Sequence, residues 1–148
     1  MTARLTAPLL ALALACAPRY LPGSDIRDTP DTRAIATVLE TYRQAMEKRD
    51  PRAVLDLVAP DYFDESAEDL DRAGLEKRLN DLKDLSTLRL QVSVRGIEVQ
   101  GDQGQAEVYF DQYYRVNTPN GPVARHDADV HRMKFKRIGG GWKITAGL

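Results

Sequence analysis

The apolar residues of this chain change period once, at Ser86, and that change limits the fold more than any other feature. Before it they recur every three or four positions. Ile35, Val38, Leu39, Tyr42 and Met46 share one face of a helix, with Asp31 as its expected N-cap. Asp50-Pro51 stops that helix and opens a second, short one, with Asp as N-cap and Pro at the first helical position, where its missing N–H is not needed. Val54, Leu55 and Val58 are the apolar positions of this second helix, and Pro60 closes it. A third helix is predicted from about Asp71, with Leu75, Leu79, Leu82 and Leu85 as its stripe.

After Ser86 the period is 2. Leu88, Leu90, Val92 and Val94 alternate with Arg89, Gln91, Ser93 and Arg95. A turn at Gly101–Gly104 leads to a strand in which Ala106, Val108, Phe110, Gln112, Tyr114 and Val116 alternate with Glu107, Tyr109, Asp111, Tyr113 and Arg115. A Pro/Gly loop, Asn117–Pro122, precedes a third strand from about Ala124 to Ile138, and Gly139-Gly140-Gly141 turns into a last one, Trp142–Ala146. Strands joined by turns make a curled antiparallel sheet of four strands or more. With three helices ahead of it, residues 31–148 read as one α+β domain whose helices pack on one face of the sheet. In the third strand the apolar parity switches from Ala128 and Val130 to Met133 and Phe135, which predicts a β-bulge near His131-Arg132.

The front of the chain has a different character. Arg4 precedes an apolar run, Leu5–Leu14, broken by Thr6 and Pro8, and small residues stand ahead of Cys16, so residues 1–15 read as a secretory signal peptide. The run is about half of the ~20 residues a membrane-spanning helix needs. Cys16 is the only cysteine, which rules out an intramolecular disulfide and leaves a lone thiol to be explained in an exported chain. Leu12-Ala13-Leu14-Ala15-Cys16 resembles a bacterial lipoprotein signal, with Ala13 where that family usually has Leu. The resemblance implies that Cys16 becomes the mature N-terminus and carries acyl chains, two or more of which hold a protein stably on a bilayer. The other reading is an ordinary secreted protein with a cysteine beside its cleavage site. Ala17, rather than Asp, follows the cysteine, which by the same resemblance implies a lipid-anchored protein of the bacterial cell envelope, on the outer membrane and facing the periplasm. Residues 16–30, with Pro18, Pro22, Gly23, Ser24 and Pro30 and no apolar periodicity, then read as the lipidated cysteine and a flexible tether.

Charge narrows the partners. The formal balance is −1, and removing residues 1–15 takes away one basic residue, Arg4, and no acidic one. That is no footprint for nucleic acid or for polybasic membrane binding. No phosphate loop, Ser-His-Asp order or free cysteine nucleophile is present. The acidic run Asp61, Asp64, Glu65, Glu68, Asp69 and Asp71 lacks the spacing of a calcium loop and reads as a solvated loop that ends in a helix cap.

The order of helix, short helix, helix and long antiparallel sheet resembles the NTF2-like fold, the cone shared by SnoaL-like proteins and ketosteroid isomerases. The stretch from Val38 through Ala59-Pro60-Asp61-Tyr62-Phe63 carries the resemblance best, and Met133-Lys134-Phe135 with Trp142-Lys143-Ile144 resembles its closing hairpin, so that about residues 32–148 are covered. In isomerases of this fold a Tyr on the first helix, an acidic base and a protonated Asp do the chemistry. Tyr42 stands at the Tyr position, Ser66 at that of the base with Glu65 beside it, and His131 at that of the strand Asp. The resemblance therefore implies a non-catalytic domain that binds a small ligand or a protein. The alternative is an isomerase- or dehydratase-type enzyme in which Tyr42 donates a hydrogen bond and His131 or Glu65 is the base.

Tyr42, Phe63, Phe110, Gln112, Tyr114 and His131 are the expected pocket, an aromatic wall with a few polar groups, suited to a small apolar ligand. Each has a plainer reading. Tyr42 fits a core tyrosine with a bonded hydroxyl, Phe110, Gln112 and Tyr114 fit packing against the helices, and His131 fits a half-buried strand histidine. Imidazole titrates near neutral pH, as a general base requires. Asp129 and His131 lie on one strand face with His126 and Asp127 nearby, but zinc needs three or four converging ligands, so neither metal nor cofactor is expected. The open sheet face is the expected surface for a homodimer or an envelope-protein partner.

Overall fold

In the computed structural model, which describes residues 18–148, helix α1 spans Pro30–Glu47 and is capped by Thr29 rather than Asp31. The Thr29 hydroxyl accepts the Thr32 N–H at 3.1 Å, and the Thr32 hydroxyl accepts the Thr29 N–H at 2.9 Å. This reciprocal capping box, with Pro30 at the first helical position, moves the start back two residues and leaves Asp31 in the first turn, where a carboxylate meets the positive end of the helix. Ile35, Leu39 and Tyr42 are buried along one face as the spacing requires, and Val38 and Met46 flank them.

Helix α2 (Pro51–Asp56) begins as expected, with the Asp50 carboxylate accepting the Ala53 N–H at 3.1 Å. Two short strands, β1 (Phe63–Asp64) and β2 (Leu70–Asp71), then pair across a single 3-10 turn, and helix α3 (Arg72–Asn80) is capped by Asp71. Strands β3 (Leu85–Gln100), β4 (Gln103–Thr118), β5 (Gly121–Ile138) and β6 (Gly141–Ala146) form one antiparallel sheet in the order of the chain. The core lies between its inner face and the helices, around Ile35, Leu39, Val54, Val108, Met133, Phe135 and Ile144. Both sheet edges are partly closed. Glu47 accepts the Leu90 N–H of β3 at 3.0 Å, and Leu57–Ala59 bonds to both backbone groups of Ile144 on β6. No helix among the described residues is long and apolar enough to cross a membrane.

Two expectations are corrected. The bulge predicted near His131-Arg132 is absent, because β5 pairs with β4 without a slip from Gln103↔Lys136 to Thr118↔Gly121. Ala128 and Val130 keep their parity and face solvent, with Val130 41% exposed. The register shifts lie instead at Val94/Gly96 between β3 and β4, at Leu85/Thr87, and at Lys134/Phe135 between β5 and β6, where the extra residue, Thr145, belongs to β6. The second correction concerns the flexible tether expected over residues 16–30. Arg19–Asp28 folds back on itself, with Asp28 N–H donating to Arg19 C=O at 2.7 Å and Leu21 N–H to Ile26 C=O at 2.9 Å. Ile26 is buried, and burying one such side chain contributes roughly 1.5–3 kcal/mol towards ordering the turn. The signal peptide and Cys16 lie outside the described residues.

Candidate functional site

Where β4 and β5 run past the end of α1, the inner face of the sheet bounds a cavity of about 200 Å³ lined by Tyr42, Leu90, Phe110, Gln112, His131, Gly147 and Leu148. Alternation along β4 points Phe110 and Gln112 inward, and the pairing of Val108 with His131 sets the imidazole on the same face. Tyr42 reaches the cavity from α1 and meets the Phe110 ring edge-on at 5.9 Å, while Phe110 meets His131 in the same way at 5.0 Å. The three rings thus form one aromatic wall.

The Tyr42 hydroxyl makes no hydrogen bond to any described residue, and although the residue is only 8% exposed its oxygen is not sealed off but opens on the cavity. Burial pushes its pKa far above the ordinary phenol value, and Tyr62 adds to the shift, so Tyr42 keeps its proton and offers a donor to the cavity. His131 Nδ1 lies 3.2 Å from the Gly147 carbonyl oxygen. A carbonyl only accepts, so the ring proton sits on Nδ1, and in the neutral ring the lone pair is on Nε2.

The last wall of the cavity is Gly147–Leu148, which follows β6 and is held by His131 together with Asp64 and Tyr62, which the sequence pattern did not place in the pocket. The Asp64 carboxylate, buried under the turn after β1, accepts the Gly147 N–H at 2.8 Å through Oδ2. Its Oδ1 accepts the Ser66 hydroxyl at 2.6 Å and the Ser66 N–H at 2.9 Å. Burial is the largest influence and works to raise its pKa, but the hydrogen bonds from Ser66, Gly147 and Ala67 together outweigh it and hold the carboxyl below its ordinary range. The Tyr62 hydroxyl accepts the Leu148 N–H at 3.2 Å. Gly147 has φ +98°, and a Cβ there would lie 2.7 Å from the Arg132 carbonyl oxygen and from Met133 Cα. Asp64, Tyr62 and His131 thus fix a backbone segment that admits glycine alone.

Of the expected pocket residues, Tyr42, Phe110, Gln112 and His131 meet at this cavity. Phe63 is turned outward and 47% exposed. Tyr114 lies further along β4, with its hydroxyl donating to Asp127 at 2.7 Å. Glu65 is exposed, so the acid that enters the interior after Phe63 is its neighbour Asp64. The rest of the acidic run is exposed. His126 belongs to the outer face, stacked on Tyr113 at 4.1 Å and bonded to Asp111 at 2.6 Å, away from His131. No three metal-ligating side chains converge among the described residues.

No protein-family model matches the chain, and no curated protein matches its sequence. Solved structures do. A candidate aromatic ring hydroxylase from Novosphingobium aromaticivorans is 18% identical and superposes with a TM-score of 0.69 over 81% of this chain and 89% of its own. A candidate dehydratase of the NTF2-like family from Streptomyces avermitilis is 14% identical with a TM-score of 0.63, over 80% of this chain and 95% of its own. A candidate calcium/calmodulin-dependent protein kinase II association domain from Xanthomonas campestris is 20% identical with a TM-score of 0.59, over 88% of this chain and 90% of its own. The fold of residues 18–148 is NTF2-like, a cone of helices packed on a curled antiparallel sheet. The different descriptions of these neighbours leave function to the site itself.

Proposed function

We propose that this chain is a lipid-anchored protein of the bacterial envelope whose domain binds a small, largely apolar ligand carrying one hydrogen-bond acceptor, without turning it over. The observation that carries the reading is the unbonded Tyr42 hydroxyl facing a cavity whose walls are otherwise mostly aromatic and aliphatic. A ligand acceptor that replaced solvent at this hydroxyl would gain one hydrogen bond in a mostly apolar site, worth about 0.5–1.5 kcal/mol. An apolar cavity of roughly 150 Å³ holds benzene, so one of about 200 Å³ suits a single ring with a small polar substituent. Gln112 and His131 Nε2 supply further polar contacts at the rim.

The test is binding of small cyclic ketones and phenols, followed by NMR titration of the wild type and of Tyr42→Phe. Loss of the hydroxyl alone should weaken binding about tenfold, the effect of one hydrogen bond of about 1.4 kcal/mol, with the fold unchanged. Equal affinity of the two proteins would remove Tyr42 from the site and the reading with it.

A second reading has its own observation. The Gly147 carbonyl fixes the His131 tautomer, and a base held by a third group opposite a neutral donor is an acid–base arrangement. The enzyme alternative therefore rests on Tyr42 and His131. Glu65 lies outside it, and the ionised Asp64 is committed to Ser66 and Gly147.

A further inference from the structure

The turn Arg19–Asp28 begins almost at the anchor. Ala17 alone separates Cys16 from Pro18, so at a reach of about 3.6 Å per residue the two lie within about 7 Å of each other. The turn itself is folded onto the domain: Tyr20 bridges to Arg27, the backbone bonds at Leu21 and Asp28 close the turn, and Ile26 is buried beneath it. A domain joined to acyl chains by so short a link has no slack to stand off the membrane.

We propose that this turn seats the domain directly on the phospholipid bilayer, with Tyr20, Leu21 and Pro22 in the headgroup layer; the inference rests on the acylation of Cys16 proposed above. Tyr20 is 53% exposed on a turn most of whose residues are exposed, and a tyrosine with an apolar body and a polar tip favours the membrane–water boundary. Arg19 and Arg27 are balanced by Asp25 and Asp28, so the anchor and the turn's shape, rather than a basic patch, set the contact. A cleft of about 680 Å³ runs beside this turn along Arg33, Thr37, Glu40 and Gln44 of α1 to Val94. Those residues lie on the side of α1 opposite the buried Leu39 and Tyr42. The helix therefore stands between the bilayer and the ligand cavity, which keeps the cavity on the aqueous side.

The test uses the mature chain from Cys16, coupled through this single thiol to a maleimide lipid in phosphatidylcholine vesicles. Coupling supplies the anchor whether or not a cell acylates the cysteine, and the mass of the protein isolated from its host decides that question separately. Tyr20→Trp emission should be quenched by lipids brominated near the headgroup several-fold more than that of Trp142, which is buried, or of Tyr113→Trp on the far sheet face. A Gly/Ser linker of about twelve residues between Ala17 and Pro18, with a root-mean-square span of about 20 Å, should bring that quenching down to the Trp142 level. In the unsubstituted chain, hydrogen exchange over residues 18–26 should slow on vesicles and return to the free rate with the linker. Equal quenching at Tyr20 and Tyr113, or exchange unchanged by the bilayer, overturns the proposal.

Discussion

Gly147 joins three parts of the site through one residue: its N–H goes to Asp64, its carbonyl to His131, and its Cα passes against the β5 backbone. A methyl group there meets backbone atoms, which cannot turn aside, and also places an L-residue in the left-handed region, which costs roughly 1–2 kcal/mol. Gly147→Ala should therefore lower the unfolding free energy in urea by at least about 2 kcal/mol. Gly101→Ala, at φ +60° with open space around it, should lose only the conformational part, about 1 kcal/mol. Equal losses would mean that the wall yields freely. Asp64 gives the site a pH dependence with a definite sign. Its carboxyl is depressed in the folded state, so its contribution to stability is present above the ordinary aspartate range and is lost as the pH falls through and below that range. Denaturation between pH 7 and pH 3 should show the wild type losing more stability than Asp64→Asn, which starts lower and falls less steeply; parallel curves would refute the role. Asp64 also shows why the interior acid was hard to read from sequence. In Asp61–Asp69 acidic residues neighbour every apolar one, and a two-residue strand decides which neighbour turns inward, so the sequence pointed to Phe63 and Glu65 and left Asp64 in a solvated loop.

At the scale of elements, periodicity was a sound guide wherever a face is covered. The three helices, the four long strands and the caps Asp50 and Asp71 follow from the spacing where the marked face is covered, although α3 stops at Asn80 and Leu85, expected on its stripe, opens β3. The misread bulge shows where that logic stops. Parity changes twice in the sheet: from Val94 to Ile97 on β3, and from Val130 to Met133 on β5. The first marks a real register shift, because both sides of it pack on the core. The second does not. Strand β6 pairs only with Lys134–Ile138, and residues 122–130 of β5 are exposed on both faces, so apolar parity there carries no information about burial. Residues 19–28 were illegible for a related reason. One buried side chain, Ile26, and a set of hydrogen bonds made by the backbone, Ser24, Thr32 and Arg33 hold them, and such bonds leave no apolar period in the sequence.

For the whole molecule, address and cavity reside in separate parts of the chain, and that separation makes the proposed function testable in halves. The proposed address rests on residues 1–16, and the cavity is built from α1, β3, β4, β5 and the segment after β6. Among the described residues, nothing that lines the cavity precedes Tyr42. Replacing the thiol should therefore change where the protein is without changing what it binds. Expressed with its own signal in a bacterium that acylates lipoproteins, the wild type should fractionate with membranes and yield an N-terminal peptide beginning at Cys16 and heavier by its acyl chains. Cys16→Ser should leave the membrane fraction, because no helix among the described residues is long and apolar enough to cross a membrane and one weak interfacial contact at Tyr20 does not hold a domain on a bilayer. The released variant should keep the thermal midpoint of the wild-type domain and the same affinity for any ligand that Tyr42 recognises. An unmodified, soluble wild type would remove the anchor and leave a secreted binding domain. A membrane-bound, acylated wild type whose Cys16→Ser form binds less tightly would mean that the bilayer helps to shape the cavity, against the placement of α1 between them.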